Sequence, residues 1–395
     1  MRIGILTKVF TAELVDAAIA KHDRAERRRR LLSARLVVYF VLALCLFARE
    51  SYEEVLRVLT SGIPGSRTLA RVNRSSLCRA RVRLGENVLE TVFRQVAGPL
   101  ATPATPGAWW RGLRLLALDG TQFDLPDSTS NGDTFDGPST TGGVPFGSPR
   151  SGRWCWPRSS DHLGTAREEL PDGSYLSMAR PGKEVRLRAA KEGRKLPRHV
   201  IYRVITFAKD DKVAHLGTTL LNPEQYPADE LVALYRERWE IEPAFDEIKN
   251  HLGPGGPIRS RTPEGVRQEL WAYCAVHQAI RQVAHTAALA RPTVDADRVS
   301  HLKCVRIIRR SILSQLGSTA TKLTHSFTEA GREARARLRP ARRNSDCPRA
   351  IKKPNRWPVL RTRARRGTVQ PGRWAHNPTS KPKSTRRAGR PALSA

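Results

Sequence analysis

The sequence predicts a mixed fold, α+β or α/β, in which a helical N-terminal domain precedes a core of strands and helices and a basic C-terminal tail follows. Three observations carry this. Apolar residues recur at helical spacing through the first hundred residues, apolar runs of strand length begin only after residue 112, and beyond Cys347 no acidic residue remains while Lys, Arg and Pro abound. The 395 residues suffice for two or three domains and an ordinary core. Lys and Arg number 69 against 37 acidic residues, a net charge of +32, and a surface of that sign attracts polyanions, nucleic acid first. Composition alone also allows an RNA- or ribosome-associated basic protein, a reading that the helix pattern described below disfavours.

Cys45, Cys78, Cys155, Cys274, Cys304 and Cys347 are scattered without a C-x2-C pair, which argues for a reducing compartment and against structural zinc. The longest apolar run, Leu36 to Ala48, is shorter than the roughly twenty residues that span a bilayer. Although it follows "RAERRRR", it lies too deep for a signal peptide and runs straight into amphipathic sequence. It reads as a buried helix of a cytoplasmic protein with no membrane partner.

Residues 1–100 form the helical domain. In "RESYEEVLRVL" Ser51 is an N-cap with Glu54 three residues on. "NRSSLCRARVRLGENVL" reads as a capped short helix closed by Gly85 and carrying Arg79, Arg81 and Arg83. Those arginines either enter a DNA groove or form a solvated basic face. A linker rich in Pro, Ala and Gly occupies 101–112, and a core domain spans 113–290. Within it Leu115–Leu118 suits a buried strand ending at the Asp119-Gly120 turn, and Phe123 and Leu125 suit a second strand returning as a hairpin. Asp119 is then either a turn former or a group aimed beyond the sheet. From 131 to 169 neither periodicity holds, which is unusual inside a compact domain. Strands return at Val200–Phe207 and in "HLGTTLLN". The longest helical pattern is Ala228–Leu252, and another helix starts with Thr262 as N-cap and Pro263 at its first position. C-terminal helices fill 291–340, and 341–395 is a disordered basic tail suited to phosphate backbones.

On one helix at about 100° per residue, Tyr235, Arg238, Glu242 and Lys249 share an arc of roughly 60°. Leu234, Ile241, Phe245, Ile248 and Leu252 form a core-facing stripe, and Arg236, Glu237, Glu240 and Glu247 point to the solvated side. Geometry alone leaves open an ordinary amphipathic helix with polar boundary residues.

The spacing Tyr-x2-Arg-x3-Glu-x6-Lys, within "YRERWEIEPAFDEIK", resembles the signature of bacterial insertion-sequence transposases of the DDE class. The N-terminal hundred residues, "LALDGTQFDLPDS" and "RRNSDCPRAIKKPNRWPV" look like further segments of that family, so the likeness covers most of residues 1 to 360. The resemblance implies an RNase H-like catalytic core in which carboxylates hold two divalent ions, Mg2+ or Mn2+, for in-line phosphodiester cleavage and strand transfer. It makes Asp119 and Glu242 the catalytic, metal-binding acids and puts Tyr235, Arg238 and Lys249 on DNA phosphates. The partner it implies is double-stranded DNA at the element's inverted repeats. Such enzymes commonly work as dimers, so a homodimer on nucleoid DNA is part of the same expectation.

Two departures stand out. The family's second aspartate, at the end of another strand, has no counterpart: only Asp136, Asp161 and Asp172 are suitably placed, and none follows a strand-like run. The likeness lapses near Pro138 and resumes near Leu170, the pattern of an internal deletion, so impaired catalysis or a non-catalytic DNA-binding remnant is expected. The second departure is Pro243 beside Glu242, which inside a helix costs roughly 3 kcal/mol.

Overall fold

The computed structural model describes residues 3–28, 30–61, 68–105, 107–135, 166–209, 212–291, 294–314 and 319–340. The expected tail from 341, Asp136, Asp161 and most of the irregular stretch lie outside them.

Five helices begin the chain: α1 (Ala12–Lys21), α2 (Ala34–Leu46), α3 (Tyr52–Thr60), α4 (Arg74–Leu84) and α5 (Asn87–Val96). Four start on side-chain caps. Thr11, Ser33, Ser51 and Asn73 accept the amides of Leu14, Leu36, Glu54 and Ser76, each satisfying one of the amides a helix start leaves unpaired. Every residue of α2 except Arg35 is buried, as the apolar run demanded. No described helix is long and apolar enough to cross a membrane.

The N-terminal helices do not close a core by themselves. They share one continuous core with α10 (Pro263–Leu289), α11 (His301–Ser314) and α12 (Ala320–Arg335). α10 packs on α2 and α5, where Ala272, Ala275, Ala279 and Ala284 let helices approach closely, while α11 packs on the 3-10 turn Gly4–Lys8. Gly4 has φ +59°, and a Cβ there would lie 2.9 Å from the Ile312 amide nitrogen, so only glycine fits this approach. The boundary expected at 101–112 therefore does not divide the core.

Arg81 is corrected as a DNA-facing residue. It is 7% exposed, and its guanidinium donates to Gln268 Oε1 at 2.8 Å, Ser260 Oγ at 3.0 Å, the Gly265 carbonyl at 3.3 Å and the Tyr52 hydroxyl. Ser260 Oγ donates to buried Glu269 at 2.7 Å, and Gln268 returns bonds to the Arg81 and Gly85 carbonyls. The charge joins α3, α4 and α10. Arg79 and Arg83 remain exposed on α4.

The strands form two small sheets. β1 (Trp109–Trp110) and β2 (Leu113–Arg114) pair antiparallel through a two-residue turn, with positive φ at both Arg111 and Gly112, the geometry that matches strand twist in a tight hairpin. β3 (Glu168–Glu169), β4 (Tyr175–Ala179), β5 (Val200–Lys209) and β6 (Lys212–Thr218) form an antiparallel meander in that order, and α6 (Thr129–Thr134) and α7 (Lys183–Lys191) lie between strands in sequence. Ile205 of β5 packs with Leu231 and Val232 of α8 (Ala228–Arg236) in a second, smaller core.

The strand expected at Leu115–Leu118 and its returning partner are not formed. The segment is irregular, with Leu116 75% and Leu118 90% exposed: the Leu115 amide continues the β1–β2 hairpin by one bond to the Ala108 carbonyl at 3.0 Å, and beyond it no ladder partner is present among the described residues to hold a strand. Leu125 and Phe123 instead pack on the helical core.

The "LPDGS" turn closes β3 onto β4, with Gly173 at φ +76°. Asp172 accepts from the Ser174 hydroxyl at 2.5 Å and amide at 3.2 Å and pairs with the fully buried Arg203. Burial raises the Asp172 carboxyl, but the Ser174 bonds and the Arg203 charge outweigh it and hold the pKa below the usual value.

Arg81→Ala is expected to cost about 3 kcal/mol in urea denaturation, because Tyr52, Ser260 and Gln268 are left buried without their donor. A cost below about 1 kcal/mol would show that the guanidinium is not the joint described. With its pKa depressed on folding, Asp172 contributes stability that is complete above its unfolded pKa, about 3.9, and is lost as pH falls through the lower folded value. Unfolding curves of Asp172→Asn should accordingly show a flatter acid limb than wild type.

Candidate functional site

The Ala228–Leu252 segment is helical throughout but changes its winding. α8 ends at Arg236, Glu237–Glu240 is 3-10, α9 runs Ile241–Asp246, and Glu247–Leu252 is a π turn. Pro243 explains the restart. It is the third residue of α9, directly after the 3-10 turn, at a point where the chain changes its hydrogen-bonding pattern and a missing amide interrupts no uniform α-helical ladder.

Arg238 stacks over the Tyr235 ring, 5.7 Å from its centroid, and its Nη1 lies 3.1 Å from Asp119 Oδ2. Asp119 Oδ1 accepts the Gly120 amide at 2.8 Å. Four residues beyond Asp119, the Phe123 ring lies 5.4 Å from Lys249 Nζ, and burial lowers the Lys249 pKa against the raising effect of Asp124. Asp119–Phe123 thus runs alongside Arg238–Lys249. Glu242 lies between those contacts in sequence and is exposed.

Loop 258–262 holds this segment from behind. The Ile258 amide donates to the Asp124 carbonyl at 3.1 Å, Ser128 and Ser130 donate to the Arg261 carbonyl, and Asn131 Nδ2 donates to the Ser260 carbonyl at 3.3 Å. From the other end, β1–β2 is pinned to α8 by Trp110 Nε1 at 2.8 Å and the Arg111 guanidinium, both on Glu230.

The solvated side assigned to the helix needs one correction. Glu247 is 2% exposed, with His277 Nε2 at 2.9 Å and Arg281 Nε at 3.2 Å from its Oε2. The π turn wraps more residues into each turn than an α-helix and re-aims this carboxylate inward. Nothing in local periodicity announces that change, and its partners lie thirty and more residues away.

Asp119 and Glu242 provide hard oxygen donors of the kind Mg2+ and Mn2+ take. A two-ion centre needs more, and among the described residues neither acid belongs to a three-ligand cluster. Asp172, the described candidate for a third acid, is engaged in the β3–β4 turn. Among the described residues, Asp119 and Glu242 alone do not make up the donor set of a two-ion centre.

Two family models match the chain, one described as "Insertion element 4 transposase N-terminal" over residues 1–94 and one as "Transposase DDE domain" over 172–278. Transposase InsG for insertion sequence element IS4, from Escherichia coli (strain K12), is 25% identical over 408 aligned positions that take in 88% of this chain and 91% of InsG. The chain belongs to the IS4 family of DDE transposases. Its membership implies an RNase H-like core, DNA as substrate and use of divalent metal, and Tyr235, Arg238, Glu242 and Lys249 fall within the matched DDE segment. Asp119 falls outside both matched segments. InsZ from the same strain is 30% identical over 115 residues, 29% of this transposase and 37% of InsZ. No solved structure matches. The InsG alignment takes in about 348 residues of this chain (88% of 395) across its 408 positions, so about 60 positions stand opposite gaps in this chain.

Pro243→Ala should change unfolding free energy by less than about 1 kcal/mol, as measured by urea titration, because the proline sits where the winding changes, directly after the 3-10 turn. A gain near 3 kcal/mol would mean that the proline is breaking a helix that would otherwise be continuous.

Proposed function

We propose that this transposase binds double-stranded DNA at the terminal inverted repeats of its insertion element and that its metal-dependent cleavage and strand transfer are impaired. The observation that carries the reading is the juxtaposition of Asp119 with Arg238 on the Tyr-x2-Arg-x3-Glu-x6-Lys helix, with no third carboxylate joining Asp119 and Glu242 among the described residues. Asp119 and Glu242 are the remaining catalytic acids and the ligands a Mg2+ or Mn2+ ion would use. Tyr235, Arg238 and Lys249 meet DNA phosphates beside them, and the exposed Arg79 and Arg83 add backbone contacts from α4. When bound, divalent ions supply activation of the attacking oxygen and stabilisation of the leaving one. The chain's own part is to place carboxylates and cations on one face.

An internal deletion between Pro138 and Leu170 accounts for the missing acid. It is supported by the total of about 60 InsG-aligned positions that stand opposite gaps in this chain, by the DDE match beginning only at residue 172, and by the exposure of Leu116 and Leu118. The second reading, a non-catalytic remnant that occupies or represses the same ends, is favoured by the same missing carboxylate.

A gel assay with a labelled element end, with and without Mg2+ or Mn2+ and with Glu242→Gln as control, separates the outcomes. Retarded but uncut DNA is expected. Cleavage that needs both metal and Glu242 would overturn the impairment and show that an acid outside the described residues completes the site, and failure to retard the fragment would overturn the binding assignment.

A further inference from the structure

Away from Asp119 and Glu242, three potential ligands converge from three elements: Glu247 from the π turn, His277 from α10 and His301 from α11. One ligand-type atom from each lies within 4.8 Å of the others. Glu247 is 2% exposed and His301 1% exposed. Both ring nitrogens of His301 are buried and neither makes a hydrogen bond. A neutral imidazole carries one donor and one acceptor, and burying such groups unpaired costs about 1–3 kcal/mol each, so native structures supply a partner. His301 faces His277, with ring centroids 5.2 Å apart, and His251, 6.2 Å away on a stacked ring whose Nδ1 is also buried and without a hydrogen bond.

We propose that Glu247, His277 and His301 bind a transition-metal dication, Zn2+ first among them, at a structural site separate from the carboxylates of the DNA-cleaving centre. Two imidazoles and one carboxylate are the borderline donor set that Zn2+ takes in tetrahedral geometry. Mg2+ prefers an all-oxygen shell and keeps its waters, so this cluster selects against it. Ligand atoms around tetrahedral Zn2+ stand about 3.3 Å apart, given bonds of roughly 2.0–2.1 Å, so metal binding would draw these atoms, now within 4.8 Å of one another, closer together. His251, whose ring lies 6.2 Å from that of His301, is a further imidazole that could take the fourth position. Arg281, 3.2 Å from Glu247 Oε2, fills the outer role of a group that orients a ligating carboxylate, which has lone pairs enough for both. Bound metal would staple the helix that carries Glu242 to α10 and α11 five residues beyond that glutamate.

The test uses the purified full chain, stripped with chelator and titrated separately with Zn2+, Co2+ and Mg2+. One Zn2+ per chain should survive dialysis and raise Tm, Co2+ should give the intense visible bands of tetrahedral coordination, and Mg2+ should do neither. X-ray absorption of the Zn2+-loaded wild type should show a nitrogen and oxygen shell with imidazole scattering and no sulfur. His301→Ala and His277→Gln should each weaken Zn2+ binding by at least about a hundredfold, more than loss of an outer-shell partner does. His285→Gln, on a half-buried histidine of α10 whose buried Nε2 also lacks a hydrogen bond, should leave binding unchanged. Absence of stoichiometric Zn2+, a sulfur shell drawn from cysteines, or undiminished binding in both ligand variants would overturn the site. Should a variant fail to fold, the wild-type absorption spectrum decides alone. Neither result depends on whether the chain cuts DNA.

Discussion

The buried guanidinium of Arg81 is the constraint on which the rest of the arrangement depends. A charge taken out of water must have every donor matched, and here the partners come from α3, from α10 and from Ser260 in the loop before α10. Ser260 is shared: its hydroxyl bonds Arg81 and Glu269, while its carbonyl accepts from Asn131, at the far end of the segment that carries Asp119. Satisfying one arginine on an N-terminal helix therefore sets where a loop lies more than 170 residues away and, through it, where the Asp119 segment rests. In this chain the family's N-terminal segment and the C-terminal part of its DDE segment share one core.

The second determinant is the change of winding along Ala228–Leu252. The 3-10 turn before α9 winds more tightly than an α-helix and the π turn after it more loosely, so their phase errors have opposite sign. Tyr235 and Arg238 keep their contact, Lys249 still reaches Phe123, and Glu247 is turned inward. Pro243 sits at the seam between them, which is why a residue hostile to helix interiors is accommodated beside Glu242.

Much of this was legible from local rules. Caps at Ser51, Asn73 and Thr262, the buried α2 and the strand at Val200 follow from spacing and side-chain chemistry within a few residues. Arg81 was not legible, because three arginines at alternate positions look alike until a partner 187 residues away is known. Leu115–Leu118 has the composition of a core strand, yet composition cannot supply a neighbour. Glu247 was misplaced because a uniform 100° per residue cannot anticipate a π turn. Within the site, the Tyr-x2-Arg-x3-Glu-x6-Lys spacing was readable as a motif, whereas the Asp119–Arg238 contact needed the fold.

Leu116 and Leu118 lie outstretched, exposed and without a ladder partner among the described residues. An apolar stretch in that state is a template: its amides and carbonyls accept a strand from any source, including the same stretch in another copy. Soluble proteins blunt such stretches with charges at their ends, and here Arg114 and Asp119 bracket the four apolar residues as gatekeepers.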